Sequence, residues 1–304
     1  MVKHANDAAM PKPRVLLRGL AMPEMARWHD GRLWFAHWGA GEIVAVDLDG
    51  ESEVITDHVP PGFGWSIDWL PDGRLLVSGT ELMRVEHDGS MVRHADLRSL
   101  SDFGWSDMVV DGRGNTYVNS VGFGITTGER FRPGIMALVT PDGNARKVAD
   151  DLAFPNGVVI TPDNATLIVA ESIAGRLTAF DIAADGGLSN RRVWAEGRLG
   201  PDGICLDADG AILVQGADIR AVTQRDDSPE GVVVRVREGG EVLQRIEHDK
   251  DIFSVTLGGP DGMTLFMLAT EFRGATKVKE VAEARVGEVV FSRAPAPGAD
   301  WPGN

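Results

Sequence analysis

Three residues with oxygen-donor side chains, Glu24, Asn156 and Asp202, stand at matching places ahead of a recurring turn. Seven residues before an Asp-Gly-type turn lie Asn156 in "FPNGVVITPD" and Asp202 in "GPDGICLDADG"; with one residue fewer, the same place in "PEMARW" falls on Glu24. Trp65, Ser106 and Ser254 take the position in the other copies. Two carboxylates and an amide oxygen brought to one point suit a hard divalent cation, with water completing its shell. Each has a plainer reading too. Asn156-Gly157 and Asp202-Gly203 are ordinary turn dipeptides, and a lone glutamate is usually a solvated charge. The shared register favours a joint site over three separate coincidences.

Other chemistries find less support. Ser106 and Ser254 have no Gly-x-Ser-x-Gly elbow and no paired histidine, which counts against a serine nucleophile. Cys205 is the only cysteine, so neither an internal disulfide nor a thiolate zinc site is expected. A formal charge of -15 argues against nucleic acid or an anionic membrane as partner and is compatible with a cation site.

The elements that must position these residues come from a repeat. A turn ending in Asp-Gly or similar, a strand-like run, a polar break and a second run closing on another Gly-containing turn recur six times, roughly every 40–50 residues. Examples are "PDGRLLVSGTELMRVEHDG" from Pro71 and "PDNATLIVAESIAGRLTAFDIAADG" from Pro162. The runs are short and rich in Val, Ile, Leu, Phe and Thr, and Asp-Gly suits tight hairpins. Only "KVKEVAEARV" near Lys277 approaches a helical period. Six four-stranded antiparallel units arranged radially make an all-β, six-bladed β-propeller, expected as one domain over residues 1–304. The loops entering each innermost strand then converge on the central channel. The strand "RVLLRGL", Arg14 to Leu20, is expected to close the last blade, with residues 1–13 and 295–304 as loose ends. "TQRDDSPEGVV", Thr223 to Val233, reads as an exposed excursion of the fifth blade.

"PEMARW", "FPNGVVITPD" and "GPDGICLDADG", in that order and spacing, resemble the gluconolactonase/regucalcin (senescence marker protein) family over nearly the whole chain. The first motif departs from the family's Glu-Gly-Pro-x-Trp, with Met25-Ala26 in place of Gly-Pro. The resemblance implies one divalent metal, most often calcium and in some members zinc, manganese or iron, with Glu24, Asn156 and Asp202 as ligands. Asn156 would then be both turn residue and ligand, with Gly157 supplying backbone freedom. It also implies lactone hydrolysis, with Asp202 as base or, as in a related phosphotriesterase, as nucleophile. The alternatives are another reaction at the same metal, such as phosphotriester hydrolysis or an isomerisation or elimination beside a carbonyl, and a non-catalytic binding platform.

Departures from the family bear on the substrate. Ser106-Asp107-Met108 replaces a common Asn-Asp-Gly, and Gly104 stands where some members have a sugar-binding arginine. Around the expected mouth come Trp38, Trp65, Trp105, Phe123, Phe154 and Phe253, of which Trp65 and Trp105 lie in or beside the ligand register. A substrate more hydrophobic than a sugar lactone follows, contacted by Ser106, Asp107, Trp65, Trp105, Phe253 and, from second strands, His37 and Asn119. His37, alone on an alternating strand, is of a kind more often structural than catalytic. Tyr117, Glu171 and Ser172 are further wall candidates. The start "MVKHANDAAMPKPRV" lacks a signal-peptide core and no run of about 18 apolar residues occurs, so a soluble, cytoplasmic protein acting on a small molecule is expected; a homo-oligomer is compatible.

Overall fold

In the computed structural model, residues 8–197, 200–215, 231–271 and 273–299 are described. Six antiparallel sheets follow one another around an axis, each a meander in which the first strand is innermost. The inner strands of blades one to six are Pro23–His29, Ile67–Trp69, Met108–Val110, Pro155–Ile160, Ile204–Leu206 and Asp251–Gly258. Short apolar runs separated by Gly-containing turns favour such local hairpins, because each strand finds its partner within a few residues. Arg14–Leu20 pairs antiparallel with Gly287–Arg293 and completes blade six from the N-terminal side, as the sequence suggests. The near-helical stretch forms a short helix, Val278–Ala284, between the second and third strands of that blade.

The core consists of apolar seams between successive blades. Val109, Tyr117 and Leu138 of blade three pack against Val158, Leu167 and Phe180 of blade four, and equivalent clusters fill other seams. Parts of both chain ends are held, where free ends were expected. Ala8–Ala9 adds a parallel strand to the edge of blade five, and Gly298 bonds back to Gly262 while Ala208 donates to Pro297. The excursion expected from Thr223 to Val233 lies outside the described residues up to 230; Gly231–Val236 is the third strand of blade five.

Strand direction fixes where function belongs. Every inner strand begins at one end of the channel, so the loops leading into inner strands and those joining second to third strands share that end. Glu24 and Asn156 are each the second residue of an inner strand and Asp202 precedes one by two residues, so all three lie at this mouth.

Candidate metal and active site

The glycines following Asn156 and Asp202 are required by proximity. Neither Gly157 nor Gly203 has a positive φ, and Asn156 lies within a strand instead of a turn. A Cβ on Gly157 would stand 2.4 Å from the Asp202 carbonyl oxygen, and one on Gly203 2.8 Å from Ser254 Cα. The amides of these glycines donate to the next blade, Gly157 to Asp202 O and Gly203 to Phe253 O, both at 3.0 Å. The turn reading of Asn156 is therefore corrected: glycine here lets neighbouring inner strands touch near the axis. The same bonds correct the register of blade six. Phe253 stands to Asp202 as Asp202 stands to Asn156, because the strand shifts register between Ile252 and Ser254.

Glu24 reaches the axis through another irregularity. The strand shifts register between Glu24 and Arg27, and Met25 adopts φ 55°, a left-handed conformation uncommon for a non-glycine residue. That backbone explains why the related motif carries glycine at this position.

The mouth brings Glu24, Asn156 and Asp202 together. Glu24 is buried, and its carboxyl is raised well above the usual range by burial first and by the charge of Asp202 next. Asp202 is pushed up to about 7 by burial and by Asp107, opposed by hydrogen bonds from Gln215 and Asn156. The Asn156 amide nitrogen also reaches Ser172 Oγ at 3.4 Å, while its Oδ1 has no described partner. Glu24, buried, and Asp202, half-buried, are thus neighbouring carboxyls whose ionised forms have no counter-ion among the described residues. Two carboxylates and an amide oxygen in that state fit a hard divalent cation.

Beneath them, Asp107 joins four blades. Its Oδ1 accepts from Arg27 Nη2 at 2.7 Å, Ser66 Oγ at 2.9 Å and the Met108 amide at 2.8 Å. Its Oδ2 accepts from the Val158 amide at 3.2 Å. These bonds correct Asp107 from substrate contact to structural hub, since the protein itself occupies the carboxylate. Arg27 also donates to Met108 O at 2.9 Å and lines a cavity of about 320 Å³ at the far end of the channel with Asp68, Trp69 and Cys205. Burial pushes Asp68 up to about 6 against the pull of Arg27. Replacing Arg27 by Met leaves Asp107 unpaired among carboxylates, and breaking such a buried pair typically costs about 3–5 kcal/mol. Urea unfolding of Arg27→Met should show a loss of this size, largely restored in the Arg27→Met/Asp107→Asn double variant; equal losses in both would show that the charge pair is not the cause.

The remaining expected contacts divide. Trp65 and Trp105 are 2% and 1% exposed. Trp65 packs against Met25, Ile67 and Leu75, and Trp105 against Leu70, Leu97 and Met108. Their rings turn into inter-blade seams, which corrects the expectation that they face the mouth. The Trp105 indole N–H has no partner among the described residues. His37 is also committed, since Nε2 accepts from the Ala21 amide at 2.8 Å and Nδ1 meets Glu42 at 3.0 Å. With the acceptor role fixed at Nε2, the ring proton sits on Nδ1, which leaves neither nitrogen for a substrate. Asn119 donates to Asn156 O at 2.7 Å, and its buried Oδ1 is unpartnered. Ser106 is half-buried beside the ligand register, its amide bonded to Asn119 O.

Phe253 is half-buried at the mouth and packs with Trp38, Phe63 and Val278 around the short helix. A second aromatic group, Phe123 with Phe131 and Phe154, rises from blades three and four. Sequence reasoning missed Phe63, Arg27 and Gln215; only Phe63, in "GFGW" ahead of an inner strand, carried a positional signal.

Away from the channel, His248, Asp249 and Glu288 also cluster. Lys250 lies 3.1 Å and Arg18 3.6 Å from Glu288, so that cluster already has its counter-ions. No described helix is long and apolar enough to cross a membrane.

The family model described as SMP-30/gluconolactonase/LRE-like region matches residues 22–271. Diisopropyl-fluorophosphatase of the squid Loligo vulgaris is 28% identical over 58% of this chain and 63% of its own length, so the match leaves more than a third of that relative uncovered. Lactonase drp35 of Staphylococcus saprophyticus is 28% identical over 78% of this chain and 76% of that protein. Among solved structures, the calcium-binding protein regucalcin from Agrobacterium tumefaciens superposes with a TM-score of 0.71 at 18% identity, covering 96% of this chain and 98% of that one.

Proposed function

The chain belongs to the SMP-30/gluconolactonase/LRE-like family, and from that premise we propose that it is a divalent-cation-dependent hydrolase opening a lactone or related cyclic ester. The observation that carries the reading is the meeting of Glu24, Asn156 and Asp202 at the channel mouth, with two neighbouring carboxyls, one buried and one half-buried, lacking a counter-ion among the described residues. The staphylococcal lactonase relative supports the reaction class, and the calcium-binding regucalcin neighbour supports calcium as the cation.

Glu24, Asn156 and Asp202 would hold the cation, which when bound supplies Lewis acidity toward a carbonyl oxygen and lowers the pKa of water. Asp202 takes the proton of the attacking water at its carboxylate as the water oxygen bonds to the carbonyl carbon. The ring acyl C–O bond then breaks, and Asp202 returns the proton to the departing alkoxide, giving a hydroxy acid. Gln215 and Asn156 orient the Asp202 carboxylate through hydrogen bonds. Asn119 holds the Asn156 backbone from the neighbouring blade, while the half-buried Ser106 faces the substrate. Phe253 with Trp38 and Phe63 on one side, and Phe123 with Phe154 on the other, offer apolar walls. They favour a substrate more hydrophobic than an aldonolactone.

The squid relative motivates a second reading, phosphotriester hydrolysis at the same site. A panel of aliphatic, aromatic and sugar lactones beside a phosphotriester, assayed with calcium and after chelation, separates the two. The proposal expects the highest kcat/KM on the hydrophobic lactones and its loss on chelation. Turnover of the phosphotriester alone, or lactone turnover indifferent to chelation, would overturn it.

A further inference from the structure

At five seams, a side chain from the channel-mouth end of one blade's second strand, or just beyond it, donates to a backbone carbonyl at the start of the next blade's inner strand. Trp38 Nε1 reaches Trp65 O at 2.7 Å, Ser78 Oγ reaches Ser106 O at 2.7 Å, and Asn119 Nδ2 reaches Asn156 O at 2.7 Å. Ser172 Oγ reaches Pro201 O at 2.6 Å, and Gln215 Nε2 donates to Phe253 O. At the sixth seam the direction reverses, with the Ala26 amide donating to Ser254 Oγ at 2.9 Å. These bonds brace the backbone from which the channel-mouth side chains project.

Gln215 differs from the other donors by also lying beside the carboxylate proposed to be catalytic. It is 1% exposed, at the end of strand Ile212–Gln215. Its backbone carbonyl accepts the Asp202 amide at 3.1 Å, and its side-chain amide, bonded to Phe253 O, lies near enough to the Asp202 carboxylate to favour its ionised form. One residue thereby acts on Asp202 at main chain and side chain while tying its blade to Phe253. A primary amide has two N–H donors, enough for the carbonyl and the carboxylate together.

We propose that Gln215 is a positioning residue for Asp202, holding its carboxylate toward Glu24 and Asn156 and coupling that orientation to the blade that carries Phe253. This rests on the cation-dependent hydrolase reading. Partners that orient a metal-binding carboxylate typically cost 10–100-fold in metal affinity or activity when removed.

The test is calcium titration calorimetry and lactone kinetics on wild type and Gln215→Met, which keeps volume and removes both donors. The expected result is calcium affinity and kcat each about 10-fold lower or worse, with KM unchanged. Should Gln215→Met fail to fold, Gln215→Asn, which keeps the amide but withdraws it by one methylene, is expected to show the same losses. A variant that melts lower yet binds calcium and turns over like wild type would reduce Gln215 to packing and overturn the proposal. Wild type that binds no calcium would overturn the cation reading and this proposal with it, whereas undiminished binding by the variants overturns the proposal alone.

Discussion

Asp202→Asn protein is expected to hydrolyse lactones about 10²–10⁴-fold more slowly than wild type, the usual worth of a positioned general base, and to melt at a higher temperature once stripped of cation. The two effects have opposite signs for one reason. In the metal-free fold the Asp202 carboxyl, pushed up to about 7, lies beside Glu24 and near Asp107. At pH 8 its ionised form opposes folding. A tenfold change in proton affinity is worth about 1.4 kcal/mol, so the charge costs on the order of a few kcal/mol. An uncharged amide of the same shape removes that cost and the proton acceptor together. Paired melting curves in chelator and initial rates in calcium give the answer. Unchanged activity would end the assignment of Asp202 as base, and a lower chelated melting temperature would show that the carboxylate stabilises the metal-free fold.

Between about pH 4 and pH 7, the chelated wild-type protein should lose stability relative to Asp202→Asn as pH rises, a comparison in which His29, His37 and His94, held below their ordinary range by burial, cancel. The sign follows from linkage. A carboxyl whose folded pKa exceeds its unfolded value binds more protons in the folded than in the unfolded state over the interval between the two, so unfolding becomes easier with rising pH. For Asp202 that interval runs from the ordinary 3.8 to about 7, and Glu24 acts in the same direction. Calcium should reverse the trend, because it binds the ionised carboxylates and its affinity grows as they lose protons. At 100-fold excess over Kd a bound ligand contributes about 2.7 kcal/mol, so the gap between calcium and chelator melting curves should be small at pH 5 and several degrees at pH 8. A calcium shift independent of pH would show that these carboxylates are not the ones that bind it.

Much of the architecture was legible because it is local. Each blade is a meander whose strands meet across short turns, so Asp-Gly punctuation and short β-rich runs sufficed to count six blades and to identify Arg14–Leu20 as the closing strand. Counting back from those turns singled out Glu24, Asn156 and Asp202, because inner strands of similar length carry that position to the same channel mouth. The count failed where a strand is irregular: the shift between Ile252 and Ser254 puts Phe253, not Ser254, in line with Asp202.

Contacts between blades were beyond the sequence. Trp65 and Trp105 sit at the positions that suggested a pocket, yet the apolar seams claim their rings. Gly157 and Gly203 looked like turn residues because their dipeptides fit turns, while the demand on them comes from the adjacent blade's backbone. Arg27 meets Asp107 across 80 positions, Gln215 meets Phe253 across 38, and Ala26 meets Ser254 across 228. The sequence by itself determined the repeat, the turns and the candidate ligands, since periodicity and hairpin chemistry act over a few residues. The tertiary structure alone decided which side chains share the axis, because closing the ring sets residues from distant blades side by side, where a buried polar group is stabilised by whichever partner the neighbouring blade supplies.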